Sequence, residues 1–166
     1  MIQIPKLLRS LSALSLYKIS THIDLGVDRQ SLEVRSWSRT CLIYIQYYGD
    51  EQAQQELVNN GYGRVIFISY STAGGIDEVQ DAEIWNGLKQ ISRFLSELHF
   101  GRYNHKPFFQ PLPLLARMSV EQIEEEGANE EVEAQMNNVG YYDDSNIKDY
   151  ANYVKAMVLN HFVHSR

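Results

Sequence analysis

Five glycines, Gly49, Gly61, Gly101, Gly127 and Gly140, each follow a stretch whose apolar residues recur every three or four positions. Glycine enters the left-handed conformation without a Cβ penalty, so a glycine just past such a stretch is a helix stop. The pattern cuts the chain into some seven helical segments, and no convincing hairpin signal competes with it. The fold expected is mainly α.

At the N-terminus, Pro5 suits a first helical turn, and Ile4, Leu8, Leu11 and Leu14 form an apolar stripe. The stretch 24–28, with Gly26 inside it, reads as a loop. Ser31 is then the expected N-cap of a helix carrying Val34, Trp37, Cys41, Ile45 and Tyr48 on one face, closed by Gly49. The run from Leu42 to Tyr48 taken alone would suit a strand, but the longer period favours helix. Asp50 caps a short helix through Val58. The run VIFIS (65–69) fits a buried strand or a buried helix, and the Gly74-Gly75 pair ends it either way.

The strongest helix signal begins at Asp77, with Trp85, Leu88, Ile91, Leu95 and Leu98 in line and Gly101 as its stop. Residues 104–113 hold three of the four prolines and form a helix-free connector. Ser119 and Gln122 make a capping-box pattern that opens a short acidic helix. Ile123 and Val132 lie nine positions apart, on opposite faces of one straight helix, so the chain is expected to break at Gly127 and restart near Asn129. Ser145 caps a last helix with Ile147, Tyr150, Val154 and Met157 along one side.

The 166 residues fit one domain, with a helix over 1–20, a best-defined unit at 49–100 and an acidic helical half at 119–166. Residues 1–118 carry 12 basic and 11 acidic groups, while residues 119–166 carry 3 basic and 10 acidic ones. The acidic half repels phosphate backbones, which argues against nucleic acid as its partner. Cys41, the single cysteine, rules out an internal disulfide and fits a reducing, intracellular setting; inside CLIYIQYY it reads as a buried, inert thiol. The first 23 residues are basic, serine-rich and free of acidic groups, which is also how a mitochondrial presequence reads. A docked N-terminal helix is the preferred expectation, and no apolar run reaches bilayer length.

The stretch from Gly49 to Leu95 resembles an armadillo-type repeat. DEQAQQELVNN with Gly61 stands as the lead-in helix, YGRVIFISYS as the middle helix and DEVQDAEIWNGLKQISRFL as the long inner helix. The resemblance covers under a third of the chain, and the proline-rich connector departs from it. It implies an armadillo/HEAT-like α-solenoid fragment; the alternative is an irregular multi-helix domain. A scaffold that binds another protein is what such a fold implies.

No catalytic constellation emerges. His161 and His164 share a helix end but lack further ligands, and the carboxylates from Glu121 to Glu133 lack the spaced pattern of a calcium loop. STAGG (71–75) precedes a helix, but Asp77, Glu78 and Asp81 open that helix and would repel a phosphate. No metal and no cofactor is expected, and the chain reads as non-enzymatic. The segment HFGRYNHKPFF interleaves bases with aromatics: it is either a loop pinned to the core by its rings or a set of interface anchors. The residues assigned to a partner surface are Arg102, Tyr103 and Phe108 in this loop and Glu124, Glu125 and Glu131 in the acidic half. Besides a scaffold, a small acidic inhibitor covering one enzyme and a structural subunit of a large complex fit the same features.

Overall fold

The computed structural model describes residues 4–17, 25–71, 78–137 and 147–163. Among these, eight helices and no strand are found: α1 (Ile4–Ser15), α2 (Leu25–Tyr48), α3 (Glu51–Asn59), α4 (Tyr62–Ser71), α5 (Glu78–Phe100), α6 (Pro113–Glu124), α7 (Ala128–Gln135) and α8 (Ile147–Val163). None of them is long and apolar enough to cross a membrane.

The glycine stops hold where they are described. Gly61, Gly101 and Gly127 have φ of 75°, 81° and 83°, the region a side chain disfavours. Asp50 caps α3 by accepting the Ala53 N–H at 3.0 Å. VIFIS lies within α4: Tyr62, Val65, Ile66 and Ser69 are buried at helical spacing, and the Ser69 hydroxyl donates to the Val65 carbonyl at 2.7 Å. Burial on this face outweighs the small helix penalty of the β-branched residues. Gly127 separates α6 from α7 as expected, so Ile123 and Val132 both reach the core.

Two expected helix starts need correction. α2 begins at Leu25, inside the expected loop, and Ser31 is a buried residue of its interior and not a cap. α6 begins at Pro113, whose fixed φ and missing N–H suit a first helical position. Ser119 and Gln122 are therefore interior. Their polar groups are spent elsewhere, Ser119 Oγ on the Leu115 carbonyl at 2.8 Å and Gln122 Nε2 on the Val58 carbonyl at 2.8 Å. In α1, Leu8 is buried but Leu14 faces solvent, and the hydroxyl of buried Ser15 bonds the Leu11 carbonyl. The expected signals at 72–77, Gly140 and Ser145 lie outside the described residues.

α5 is the central element, packed against α4, α6 and α8. Leu88, Ile91, Phe94, Leu95 and Leu98 are all buried, wider than one amphipathic stripe, as befits a helix covered on several sides. Trp85 meets Tyr150 of α8 edge to face at 6.0 Å, with the Lys89 ammonium 4.4 Å from its ring. One hydrophobic cluster runs through the molecule from Leu8 of α1 to Val158 of α8.

α2 departs most from expectation. Its buried residues are Ser31, Ser38, Leu42 and Gln46, while Val34, Trp37, Cys41 and Tyr48 are exposed. The helical period is correct and the face is not, and Cys41 is an exposed thiol. The inner face tolerates polar groups because they find partners there: Gln46 Nε2 donates to Glu97 at 2.7 Å, and Gln46 Oε1 accepts from Gln90 at 2.9 Å.

Candidate functional site

The most organised polar structure lies where the C-terminal ends of α2 and α5 meet the 101–112 loop. Gly101 turns the chain out of α5, and a Cβ at that position would stand 2.7 Å from the Phe109 carbonyl oxygen. Arg102 and Phe109 exchange backbone hydrogen bonds at 2.9 and 3.2 Å, and the Leu112 N–H returns to the Leu98 carbonyl at 2.8 Å. These bonds make the proline-rich connector a closed loop, helix-free through Leu112.

Arg102 is among the assigned partner-surface residues, but it is fully buried and its guanidinium faces inward. Nη1 donates to the Gly49 carbonyl at 2.8 Å, Nη2 to the Gln46 carbonyl at 2.6 Å, and Nε to Glu97 Oε2 at 3.1 Å. It thereby supplies donors and positive charge to the carbonyl end of α2 from far along the chain. Gln54 Nε2 joins it on the same two carbonyls, at 2.8 and 3.2 Å. Phe109 lies beneath the guanidinium, 4.6 Å from ring centre to Cζ. Glu97 is buried at the hub: Gln46 and Arg102 donate to Oε2, and Arg93 Nε donates to Oε1 at 3.3 Å. His105 Nε2 lies 3.5 Å from Oε1.

A column of rings continues from this hub. Arg93 covers the Tyr47 ring at 3.8 Å, Tyr47 stacks on His105 at 4.2 Å, and Tyr48 meets Tyr47 edge-on at 4.7 Å. Tyr62, beside the hub, is buried against Phe94 at 4.9 Å and its hydroxyl accepts from Gln90 at 3.3 Å. Loss of solvation holds this phenol protonated well beyond its ordinary range, with the Gln90 hydrogen bond opposing and the Glu97 charge adding to the effect.

Two surfaces flank the hub. On the loop, Tyr103 and Phe108 are 59% and 58% exposed, and the Tyr103 hydroxyl is steadied by Gln110 at 3.0 Å. Phe109 is the ring that pins the loop to the core. Along α2, Val34, Trp37, Cys41, Tyr44 and Tyr48 form an exposed line at i, i+3, i+7, i+10 and i+14. The acidic residues belong elsewhere, on the α6–α7 segment. Glu125 pairs with Arg64 of α4 at 2.7 Å, and Glu124 and Glu131 are half-buried. Arg64 also binds Glu126 at 2.6 Å, and Lys155 binds Glu133 at 2.6 Å, so part of the acidic charge is answered within the fold.

A hollow of about 470 Å³ between α2, α4 and α5 is lined by Arg39, Lys89, Arg93, Tyr62 and Gln90 over an apolar floor of Leu42, Val65 and Ile66. Its described lining holds no carboxylate, imidazole or thiol that would act as a general base or nucleophile. Among the described residues no three His, Cys, Asp or Glu side chains converge as metal ligands. The sequence reading missed Glu97 as a hub. The available signal was a carboxylate within the apolar run of α5, five residues before an arginine, with Gln46 and Gln54 on otherwise buried faces.

No protein-family model matches the chain, and neither a curated protein nor a solved structure matches it.

Proposed function

We propose that this chain is a non-enzymatic protein-binding scaffold of stacked helices, whose 101–112 loop is a preformed docking element for another protein. The observation that carries the reading is the construction of that loop. Buried Arg102 and Phe109 fix its two arms to the ends of α2 and α5, while Tyr103 and Phe108 between them point outward. Exposed aromatics on a braced backbone lose little conformational entropy on binding, which is the economy of an interface anchor. Polar residues would suffice if the loop served only to join α5 to α6.

The armadillo-like arrangement is the finer part of this proposal. Contacts between α3 and α6 and between α5 and α8 support it, because elements three apart in order touch, as successive three-helix units would. In that arrangement α3, α4 and α5 form one unit, and α6, α7 and α8 form the next.

The test is a photo-crosslinking residue at position 103, compared with one at exposed position 125. A discrete adduct formed from 103, and lost when Phe108→Ala is added to that chain with unchanged circular dichroism, is the expected result. Equal adducts from both positions, or an adduct indifferent to Phe108→Ala, would refute the loop as the docking element.

A further inference from the structure

α2 carries its apolar face outward. Val34, Trp37, Cys41, Tyr44 and Tyr48 fall within about 80° of arc and span about 21 Å of helix. Trp37, Tyr44 and Tyr48 are 71%, 58% and 63% exposed, whereas the inward face of the same helix offers Ser31, Ser38 and Gln46 beside Leu42. A surface helix normally distributes its residues the other way. Tyr44 and Tyr48 are already stacked, with centroids 6.0 Å apart, so part of the face is ordered before anything covers it.

We propose that a second copy of this chain covers this face, with the two α2 helices antiparallel and the two-fold axis passing beside Cys41. Three observations select that occupant. First, the line is centred on Cys41, with Val34 seven positions before it and Tyr48 seven after. An antiparallel pair about that point therefore sets Val34 of each copy against Tyr48 of the other and Trp37 near Tyr44, without a gap.

Second, the charges fit one orientation. Asp50 and Glu51 follow the carbonyl end of α2, and Arg29, 82% exposed at its side chain and paired with Glu33 of the same helix at 3.5 Å, lies near the other end. Antiparallel pairing brings the acidic end of each copy towards Arg29 of the other and opposes the helix dipoles; parallel pairing would set four carboxylates together.

Third, the area suffices. At roughly 150–250 Å² per aromatic side chain, the three rings would bury about 300–500 Å² per copy. With Val34 and Cys41, the two copies together reach about 1,000 Å², the lower bound of a specific interface. This proposal does not rest on the reading of the loop as a docking element.

The measurement is light scattering behind gel filtration on the full chain, at about 100 μM, well above the micromolar dissociation constant that an interface of this size supports. Twice the monomer mass is expected for the wild type and for Tyr103→Ala/Phe108→Ala, and the monomer mass for Trp37→Glu with unchanged circular dichroism. Mild oxidation with diamide, which takes two hydrogens as two thiols join, should link the wild type through Cys41 and leave Trp37→Glu unlinked. A wild type that stays monomeric, a dimer that survives Trp37→Glu, or a dimer whose Cys41 thiols fail to join would overturn the proposal. A wild-type monomer that still gives the adduct from position 103 would reject the pairing alone and leave the docking loop standing.

Discussion

Replacing Arg102 with methionine removes the one cation wholly inside the fold among the described residues and leaves most of its hydrocarbon volume. The magnitude follows from what is stranded. Glu97 loses its buried partner, and breaking a buried ion pair from one side costs about 3–5 kcal/mol. Two terms lower the loss here. Gln46 and Arg93 still donate to Glu97, and Gln54 still donates to the Gln46 and Gly49 carbonyls that Arg102 gives up. The expectation is therefore the lower end, about 3 kcal/mol, which for a chain of this size lowers Tm by about 6–12 °C.

Urea denaturation followed by circular dichroism measures the loss, and a double-mutant cycle with Glu97→Met separates the pair from its surroundings. Removing both charges should restore part of the stability, because the pair's desolvation penalty goes with it. A coupling energy of at least about 1.5 kcal/mol is expected. Arg102→Met costing under about 1 kcal/mol, or coupling below about 0.5 kcal/mol, would refute the hub as the element that holds the loop.

Gly101→Ala should cost about 2 kcal/mol in the same assay, since alanine at φ 81° is strained and its Cβ meets the Phe109 carbonyl; an unchanged midpoint would contradict the turn geometry. Asp50→Ala should cost about 1 kcal/mol through the lost cap of α3, while Asp50→Asn should keep most of it. Tyr62→Phe bears on alkaline stability. The folded phenol titrates above its ordinary 10.0, so its contribution is full below that pH and declines as pH rises above it. The variant should lose less stability than the wild type on raising pH past 10.0, and parallel profiles would deny the burial of the phenol.

Helix positions were legible in the sequence because period and punctuation are properties of neighbouring residues. Gly61, Gly101 and Gly127 stop helices as expected, and Asp50 caps one. Pro113 opens α6, a role its residue type allows as readily as it allows an extended connector. Two other features were not legible. The orientation of α2 depends on which side meets neighbouring helices, and those helices come from distant segments. The inward role of Arg102 depends on a carboxylate five residues away and on carbonyls more than fifty residues away. Basic-aromatic interleaving in a loop is compatible with display or with burial, and this loop does both: Arg102 and Phe109 go in, Tyr103 and Phe108 go out.

The two surfaces are not mechanically separate, because both begin at the same hub. Arg102 holds the carbonyl end of α2, and Tyr48 at that end closes the aromatic line of the outward face. His105 of the loop stacks on Tyr47, whose other contacts are Arg93 of α5 and the Tyr48 ring. A displacement of the loop therefore has two direct routes to Tyr48, through the end of the helix and through the ring column. Loss of Arg102 should loosen both the display of Tyr103 and Phe108 and the last turn of the α2 face, whereas Trp37→Glu, about three turns away along α2, should leave the loop intact. That asymmetry separates the hub as a common support from the surfaces it supports. Hydrogen exchange at the Arg102 and Phe109 amides should rise in Arg102→Met and stay unchanged in Trp37→Glu.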